Sequence, residues 1–166
     1  MVNRTIALIR SLRPEQWLKN GFVLAPVVFA GQIDDPVAWQ RSLMAVAAFC
    51  AASSATYLIN DVFDRESDRL HPTKKLRPIA SGEVSTAMAI VVAALLALAA
   101  LAVALWLGGW FPAVLAGYLV MTLLYSAFLK EAVFVDVLVV AMGFVLRVVG
   151  GAVAIDVPIS RWLLLC

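Results

Sequence analysis

Apolar runs of membrane-spanning length alternate with short polar segments along most of this chain. A hydrocarbon core about 30 Å thick requires about 20 apolar residues from a helix, so windows near that length with few charges predict transmembrane helices. Five such windows lie at Trp17–Ile33, Trp39–Asn60, Met88–Gly108, Phe111–Leu129 and Val133–Ile155. A sixth apolar run begins at Ile159 and continues to Cys166. The pattern predicts an all-α, polytopic transmembrane helical bundle with five complete spans and the start of a sixth.

The composition supports a membrane protein. The 166 residues are 63% hydrophobic and only 14% charged, with a mean hydropathy of +0.94, whereas soluble domains are about 45–50% apolar and about 25% charged. These values exclude a water-soluble domain and a disordered chain, and two cysteines cannot form a disulfide framework. Residues 1–166 are predicted to form a single membrane domain. Its first window is the weakest, because it rises only about 26 Å as an α-helix and contains Pro26.

The cations predict the orientation of the bundle. Most of the 13 Lys and Arg residues lie in alternate connections, namely the N-terminal segment, the segment Asp61–Ser85 and the turn after the fourth window. Since such connections stay in the cytoplasm, we expect a plasma (inner) membrane protein whose N-terminus and acidic segment are cytoplasmic. A cleaved signal peptide ending at Val28-Phe29-Ala30 is an alternative for the start, and it would leave the orientation of the later windows unchanged.

An acidic stripe follows the second window. If that helix continues, 100° per residue places Asp61, Asp64 and Asp68 within about 60° of each other, with Tyr57 inside the stripe and Asn60 beside it. Like charges on adjacent helical turns repel unless a cation lies between them. Oxygen ligands of this kind suit Mg²⁺, which is usually held by one or two carboxylates together with substrate phosphates. The stripe therefore predicts a Mg²⁺ site, and the alternative is a solvated helix end neutralised by Arg65 and Arg69.

The segment after the stripe contains cations that could contact phosphate, Lys74, Lys75 and Arg77. Its only histidine, His71, is expected to be structural. Two ionisable residues of the fifth window, Asp136 and Arg147, lie within about 20° of each other on one helical face, and Arg147 is about 16 Å deeper. Arg147 either lines an inner wall that binds an anion or packs against backbone carbonyls and snorkels outward.

The pattern Asn60-Asp61-x-x-Asp64-x-x-x-Asp68, followed by Arg77-Pro78-Ile79-x-x-Gly82, resembles the first aspartate-rich motif of the UbiA superfamily of intramembrane prenyltransferases. Other segments resemble the decaprenyl-phosphate phosphoribosyltransferase branch of that superfamily. They are Leu12 to Asn20, Ala25-Pro26 and Tyr125-Ser126-x-x-Leu129-Lys130, together with Asp136 and Arg147.

The resemblance implies transfer of 5-phosphoribose from phosphoribosyl diphosphate to a polyprenyl (decaprenyl) phosphate, with release of diphosphate, as a step toward the cell envelope. It implies that Asp61, Asp64 and Asp68, with Asn60, hold Mg²⁺ on the diphosphate. The predicted phosphate contacts are Lys19, Lys74, Lys75, Arg77 and Lys130, and the predicted supporting residues are Asn60, Tyr57, Tyr125, Asp136 and Arg147. The expected partners are the two substrates and the bilayer, and no nucleic acid is expected. A homo-oligomer is also compatible with the sequence.

The chain departs from the family in one respect. The family has about nine helices in two similar halves and a second acidic motif. In this chain the only aspartates after Asp68 are Asp136 and Asp156, which lie well apart and do not form such a motif. We therefore expect the N-terminal part of a nine-helix bundle, or a remnant that is inactive without a partner. The alternatives are a UbiA-type enzyme that moves a prenyl group from its diphosphate to an aromatic acceptor, and a non-catalytic membrane subunit or transporter half.

Overall fold

A computed structural model describes residues 4–129 and 133–159, and every regular element within these ranges is helical. Helices α1 to α8 cover Arg4–Ser11, Ala25–Phe29, Pro36–Phe63, Arg65–Leu70, Pro78–Ser81, Thr86–Leu107, Phe111–Leu124 and Val133–Ala154. Two 3₁₀ helices cover Pro14–Leu24 and Lys74–Leu76, and a π-helix, Tyr125–Leu129, continues α7. The all-α prediction is confirmed, and the final apolar run beyond Ile159 lies outside the described residues.

Four of the described helices are long and apolar enough to cross a membrane. They are Pro36–Phe63, Thr86–Leu107, Phe111–Phe128 and Val135–Ala154, which match the second to fifth predicted windows. Local signals set their starts: the Asp35 carboxylate accepts a hydrogen bond from the Val37 amide (2.8 Å), and the Ser85 hydroxyl accepts one from the Met88 amide (3.2 Å).

The first predicted window does not form one α-helix. It is built from the 3₁₀ helix Pro14–Leu24 and the short helix α2, because Pro26 cannot continue an α-helix through the preceding turn. A 3₁₀ helix rises about 2 Å per residue, so the two pieces together cover about 30 Å. The segment joins both ends of the bundle, since Arg13 before it meets the C-terminal end of α3 and Asp35 after it caps the N-terminal end. The number of membrane crossings stays a prediction.

Helix α3 lies at the centre of the described bundle. Its membrane-length window is 56% buried, compared with 22% for those of α6 and α7. Phe49 on α3 packs edge-to-face against Phe111 and Tyr118, with ring centroids 6.0 and 5.3 Å apart. Helices α3 and α6 pack closely because small side chains fill their contact, among them Ala45, Ala48, Ala52, Ala93, Ala100 and Ala104.

An arginine joins three helices at the end of the bundle where α3 begins. The Arg41 guanidinium donates to the Ala154 carbonyl at the end of α8 (2.6 Å) and to the Leu107 carbonyl at the end of α6 (2.7 Å). Helix C-terminal carbonyls carry partial negative charge, so the cation stabilises both ends. At the opposite end, where α3 finishes, the bundle is formed by α1, α4, α5 and the start of the first 3₁₀ helix. The candidate site lies at this end.

Candidate active site

The acidic stripe is helical and presents two of its aspartates to one arginine. Backbone hydrogen bonds continue through it, from the Asp64 amide to the Asn60 carbonyl and from the Asp68 amide to the Asp64 carbonyl. The Arg77 guanidinium contacts Asp68 at 2.7 Å and Asp61 at 3.2 Å. Asp61 and Asp68 therefore share a face, as the spacing predicts.

A second arginine completes this network. Arg13 contacts the Asp61 carboxylate at 2.5 Å, and its guanidinium lies 4.9 Å from the centre of the Tyr57 ring. The Asp61 and Asp68 side chains are only 3% exposed. We call Arg13, Asp61, Asp68 and Arg77 the acidic-end network, in which two buried carboxylates are neutralised by two guanidinium groups.

The alternative in which Arg65 and Arg69 neutralise the stripe does not agree with the contacts. Both arginines pair with Glu66, at 3.6 and 3.2 Å, and the Glu66 side chain is 76% exposed. His71 has the structural role expected for it, because its Nδ1 accepts hydrogen bonds from the Thr73 and Lys74 amides.

The oxygen donors of the stripe suit a divalent cation. Carboxylate oxygens come from Asp61, Asp64 and Asp68, and the Asn60 side-chain amide donates to Asp64 at 3.2 Å. Within residues 4–129 and 133–159, no three acidic, histidine or cysteine side chains are grouped closely enough to enclose a metal. Since Mg²⁺ is normally held by one or two carboxylates and completed by substrate phosphates, this donor set fits that ion, and the metal assignment stays a prediction.

A second polar network lies deeper in the bundle, around Arg147. Its guanidinium donates to the Asn20 side-chain carbonyl (2.7 Å), the Gly143 backbone carbonyl (2.8 Å) and the Tyr118 hydroxyl (3.0 Å). Asn20 in turn donates to Cys50 and Ser53 on α3. We call Arg147 and these partners the inner network. Arg147 is buried and does not snorkel outward.

Two cavities meet at Arg13. The inner cavity, about 220 Å³, extends from Asn60 at the acidic stripe to Arg147. The outer cavity, about 440 Å³, lies between α1 and the turn Lys74–Leu76, and Arg10, Asp61 and Arg77 contribute to its wall. Arg13, which belongs to the acidic-end network, therefore contributes to the walls of both cavities.

The model of the UbiA prenyltransferase family matches residues 22–166 of the chain. The chain belongs to the UbiA prenyltransferase family. It is 42% identical to decaprenyl-phosphate phosphoribosyltransferase from Mycolicibacterium smegmatis, over 98% of this chain and 52% of that protein. The chain thus spans about half the length of the curated relatives it matches.

Solved structures agree with this membership. A structure described for digeranylgeranylglyceryl phosphate synthase has a TM-score of 0.82 at 17% identity, over 91% of this chain and 53% of that one. A UbiA homolog from Archaeoglobus fulgidus, bound to DMAPP and Mg²⁺, has a TM-score of 0.76 at 22% identity, over 95% of this chain and 57% of that one. At these identities the likeness supports the fold, and with the four apolar helices it identifies a multi-pass membrane protein.

In this UbiA-family bundle the predicted phosphate contacts separate into three groups. Lys19 lines the inner cavity and Arg77 the outer one. Lys74 and Lys75 are exposed and do not contribute to the described walls of either cavity. Lys130 lies outside the described residues.

The remaining predicted supporting residues line the inner cavity or contact its wall. Tyr57 and Tyr125 are part of that wall, and the Tyr125 hydroxyl donates to the Asp136 carboxylate at 2.5 Å. Asp136 is thus connected to the cavity through Tyr125.

Sequence reasoning did not assign three residues that the UbiA-family fold places in the two networks, Arg13, Asn20 and Tyr118. Arg13 and Asn20 lie in the N-terminal segment that carries the family resemblance, and Tyr118 is the only hydroxylated aromatic residue within the fourth window before Tyr125. For Asn20 and Tyr118, a polar side chain inside an apolar window was the available signal, because such groups require partners in a membrane.

Proposed function

We propose that this chain is part of a Mg²⁺-dependent polyprenyl-phosphate phosphoribosyltransferase. The observation that carries the proposal is the 42% identity to a decaprenyl-phosphate phosphoribosyltransferase over 98% of the chain. The proposed substrates are phosphoribosyl diphosphate and a polyprenyl (decaprenyl) phosphate in the cytoplasmic leaflet of the plasma membrane. The proposed product would supply cell-envelope synthesis.

The acidic stripe is proposed to bind the leaving group. Asp61, Asp64 and Asp68, with Asn60, would hold Mg²⁺, and Arg13 and Arg77 are close enough to these carboxylates to reach a diphosphate bound there. When bound, Mg²⁺ supplies charge neutralisation for the departing diphosphate. Arginine suits the same task because its planar guanidinium pairs with phosphate oxygens in bidentate fashion.

The reaction requires little proton transfer. An oxygen of the acceptor phosphate forms a bond to C1 of the ribose, and the bond from C1 to the diphosphate oxygen breaks with its electron pair leaving on diphosphate. Because the acceptor is already an anion, no general base is needed. The protein's own contribution is to orient two anionic substrates against each other and to exclude water from the reacting carbon.

The test is phosphoribosyl transfer in membranes from cells that express the gene. We expect radiolabelled phosphoribose to appear on polyprenyl phosphate with the wild-type protein. The double variant Asp61→Asn, Asp64→Asn should transfer it at least about 1,000-fold more slowly, because it could no longer hold the metal. Retained turnover in the double variant would contradict the metal assignment. Glu66→Gln is the matched control, since Glu66 lies on the same helical end but forms its ion pairs with Arg65 and Arg69.

A second assay separates this function from the aromatic prenyltransferase alternative. The same membranes receive prenyl diphosphate with an aromatic acceptor, or phosphoribosyl diphosphate with polyprenyl phosphate. Transfer only in the second mixture supports the proposal. Transfer only in the first mixture contradicts it and assigns the chain to prenyl transfer.

A further inference from the structure

Arg147 is a buried cation whose described partners are all neutral. Its side chain is largely enclosed, with 6% of the residue exposed, and it donates to an amide, a backbone carbonyl and a hydroxyl. Within the described part of the chain, no carboxylate lies within ion-pair distance of it. Burying a charge without a counter-charge is costly, so a residue of this kind is well suited to receive an anion.

The guanidinium retains hydrogen-bonding capacity on the side of the cavity. A guanidinium has five N–H donors, and three are used by Asn20, Gly143 and Tyr118. The Tyr118 hydroxyl accepts from Arg147, so its own proton is available for another acceptor. The guanidinium also packs closely on Gly143, since a Cβ at that position would lie 3.2 Å from Arg147 Nη1. Arg147, Tyr118 and Gly143 all line the inner cavity.

The wall between Arg147 and the acidic stripe combines apolar side chains, among them Met121, Val139 and Phe144, with side chains that can hydrogen-bond to sugar hydroxyl groups. The polar ones are Thr56, Tyr57, Asn60, Thr122, Tyr125 and Ser126. Thr56 and Thr122 donate to backbone carbonyls, which leaves their oxygens as acceptors. A prenyl chain would pair with none of these groups. A hydroxylated ligand can hydrogen-bond to these groups, which gives it contacts that a prenyl chain lacks.

The inner cavity is lined both by Arg147 and by a residue of the acidic stripe, which suits a ligand with two anionic groups. Asn60 belongs to the stripe proposed to bind the diphosphate, and it lines the same cavity as Arg147. Phosphoribosyl diphosphate carries its diphosphate on C1 and a single phosphate on C5, with hydroxyl groups between them. We infer that Arg147, with the Tyr118 hydroxyl, forms the subsite for the 5-phosphate of the donor. This inference rests on the proposed function, and it makes Arg147 the residue that selects a phosphorylated sugar donor over a prenyl diphosphate.

The subsite is tested first by binding, independently of turnover. Purified protein in lipid nanodiscs is dialysed against ribose 5-phosphate or ribose without Mg²⁺, so that the acidic stripe contributes little. We expect ribose 5-phosphate to bind and ribose to bind much more weakly. Arg147→Met should weaken ribose 5-phosphate about 100-fold, which corresponds to loss of two hydrogen bonds to a charged group. Equal affinity in wild type and Arg147→Met would overturn the inference.

Two milder variants keep the test decisive if Arg147→Met does not fold. Tyr118→Phe preserves the ring that packs against Phe49 and removes only the hydroxyl, so we expect a loss of about tenfold for ribose 5-phosphate and little change for ribose. Gly143→Ala adds a Cβ beside the guanidinium and should also weaken ribose 5-phosphate selectively. If both variants bind it as wild type does, the subsite is not at Arg147.

A competition experiment distinguishes the donor phosphate from the lipid phosphate. Polyprenyl phosphate added to the nanodiscs should leave ribose 5-phosphate binding in place. If it displaces ribose 5-phosphate with the same dependence on Arg147, the subsite belongs to the acceptor and the inference is wrong.

Transfer assays then separate this inference from the proposed function. Ribosyl 1-diphosphate, which lacks the 5-phosphate, should be a poorer donor than phosphoribosyl diphosphate by about 100-fold in kcat/KM, and Arg147→Met should remove most of that difference. Unchanged discrimination in the variant overturns the subsite. If wild type transfers neither donor, the proposed function fails, while the dialysis result still decides whether Arg147 binds the phosphate.

Discussion

The acidic-end network and the inner network differ in how their charges are compensated. In the acidic-end network, the carboxylates of Asp61 and Asp68 meet the guanidinium groups of Arg13 and Arg77. In the inner network, the only charge among the described partners is that of Arg147. One network is balanced, and the other has an excess positive charge.

This difference indicates which ligand each network can accept. A balanced network accepts a cation only if its arginines exchange their carboxylate partners for another anion, such as a diphosphate. An unbalanced cation can accept an anion directly, with no ion pair to break. Because Arg13 lines both cavities, a ligand that draws it away from Asp61 would change the wall of both sites together.

The largest expected effect is that of Arg77→Met, which removes the cation shared by two buried carboxylates. Only Arg13 would remain to neutralise Asp61 and Asp68, so we expect the free energy of unfolding to fall by about 3–5 kcal/mol. Unfolding in mixed detergent micelles measures the loss. Added Mg²⁺ should restore more stability to this variant than to wild type, because a divalent cation can take the place of the guanidinium. A loss below about 1 kcal/mol would show that the ion pairs are not needed to neutralise the stripe.

A smaller loss of unfolding free energy is expected from Gly151→Ala, which tests how closely α8 packs against the 3₁₀ helix that carries Asn20. A Cβ at this position would lie 2.0 Å from the Val23 carbonyl oxygen, so the helix must move and we expect a loss of about 1–3 kcal/mol in unfolding free energy. Gly117→Ala is the control, because nothing lies within 4 Å of its added Cβ. It should be neutral or more stable by up to about 1 kcal/mol. Equal stability of the two variants would contradict the close packing.

Asn20→Asp should convert the inner network into a balanced one. The new carboxylate would lie where the Asn20 carbonyl now accepts from Arg147 at 2.7 Å, and would compete with any bound anion. We expect ribose 5-phosphate to bind about tenfold more weakly, which equals about 1.4 kcal/mol, while the protein stays folded. Equilibrium dialysis measures the affinity. Unchanged affinity would mean that the excess charge of Arg147 is not what attracts the anion.

The smallest effect is expected from Glu66→Gln, at an ion pair on the solvent-facing side of the same helical end. Glu66 is 76% exposed, and exposed pairs contribute about 0–1 kcal/mol. We expect a change of about 0.5 kcal/mol or less in unfolding free energy, measured beside Arg77→Met. A loss as large as that of Arg77→Met would remove the distinction between buried and exposed charges at this end.

Much of the fold could be predicted because its signal is local. The windows that became α3, α6, α7 and α8 are long apolar runs, and a membrane imposes backbone hydrogen bonding within each of them. The apolar pattern of the first window did not predict its 3₁₀ conformation, and the packing of Val23 against Gly151 joins residues that are remote in sequence.

Of the candidate site, the direction of its acidic side chains could be predicted, but their partners could not. The shared face of Asp61 and Asp68 follows from helical periodicity. Their arginine partners do not, because Arg65 and Arg69 are nearer in sequence, yet Arg13 and Arg77 reach the buried face. Local spacing gives the direction of a side chain on its own helix and carries no information about which distant residue lies opposite.

The sequence by itself determined the membrane class, the four long helices and the acidic face that runs from the end of α3 into α4, since each depends on residue type and on local periodicity. The tertiary structure alone decided that Arg13 lies between two cavities, that Asn20 meets Arg147 across 127 positions, and that Arg147 has neutral partners. Charge compensation in a bundle is a property of helices in contact, so it is fixed only when the chain has folded.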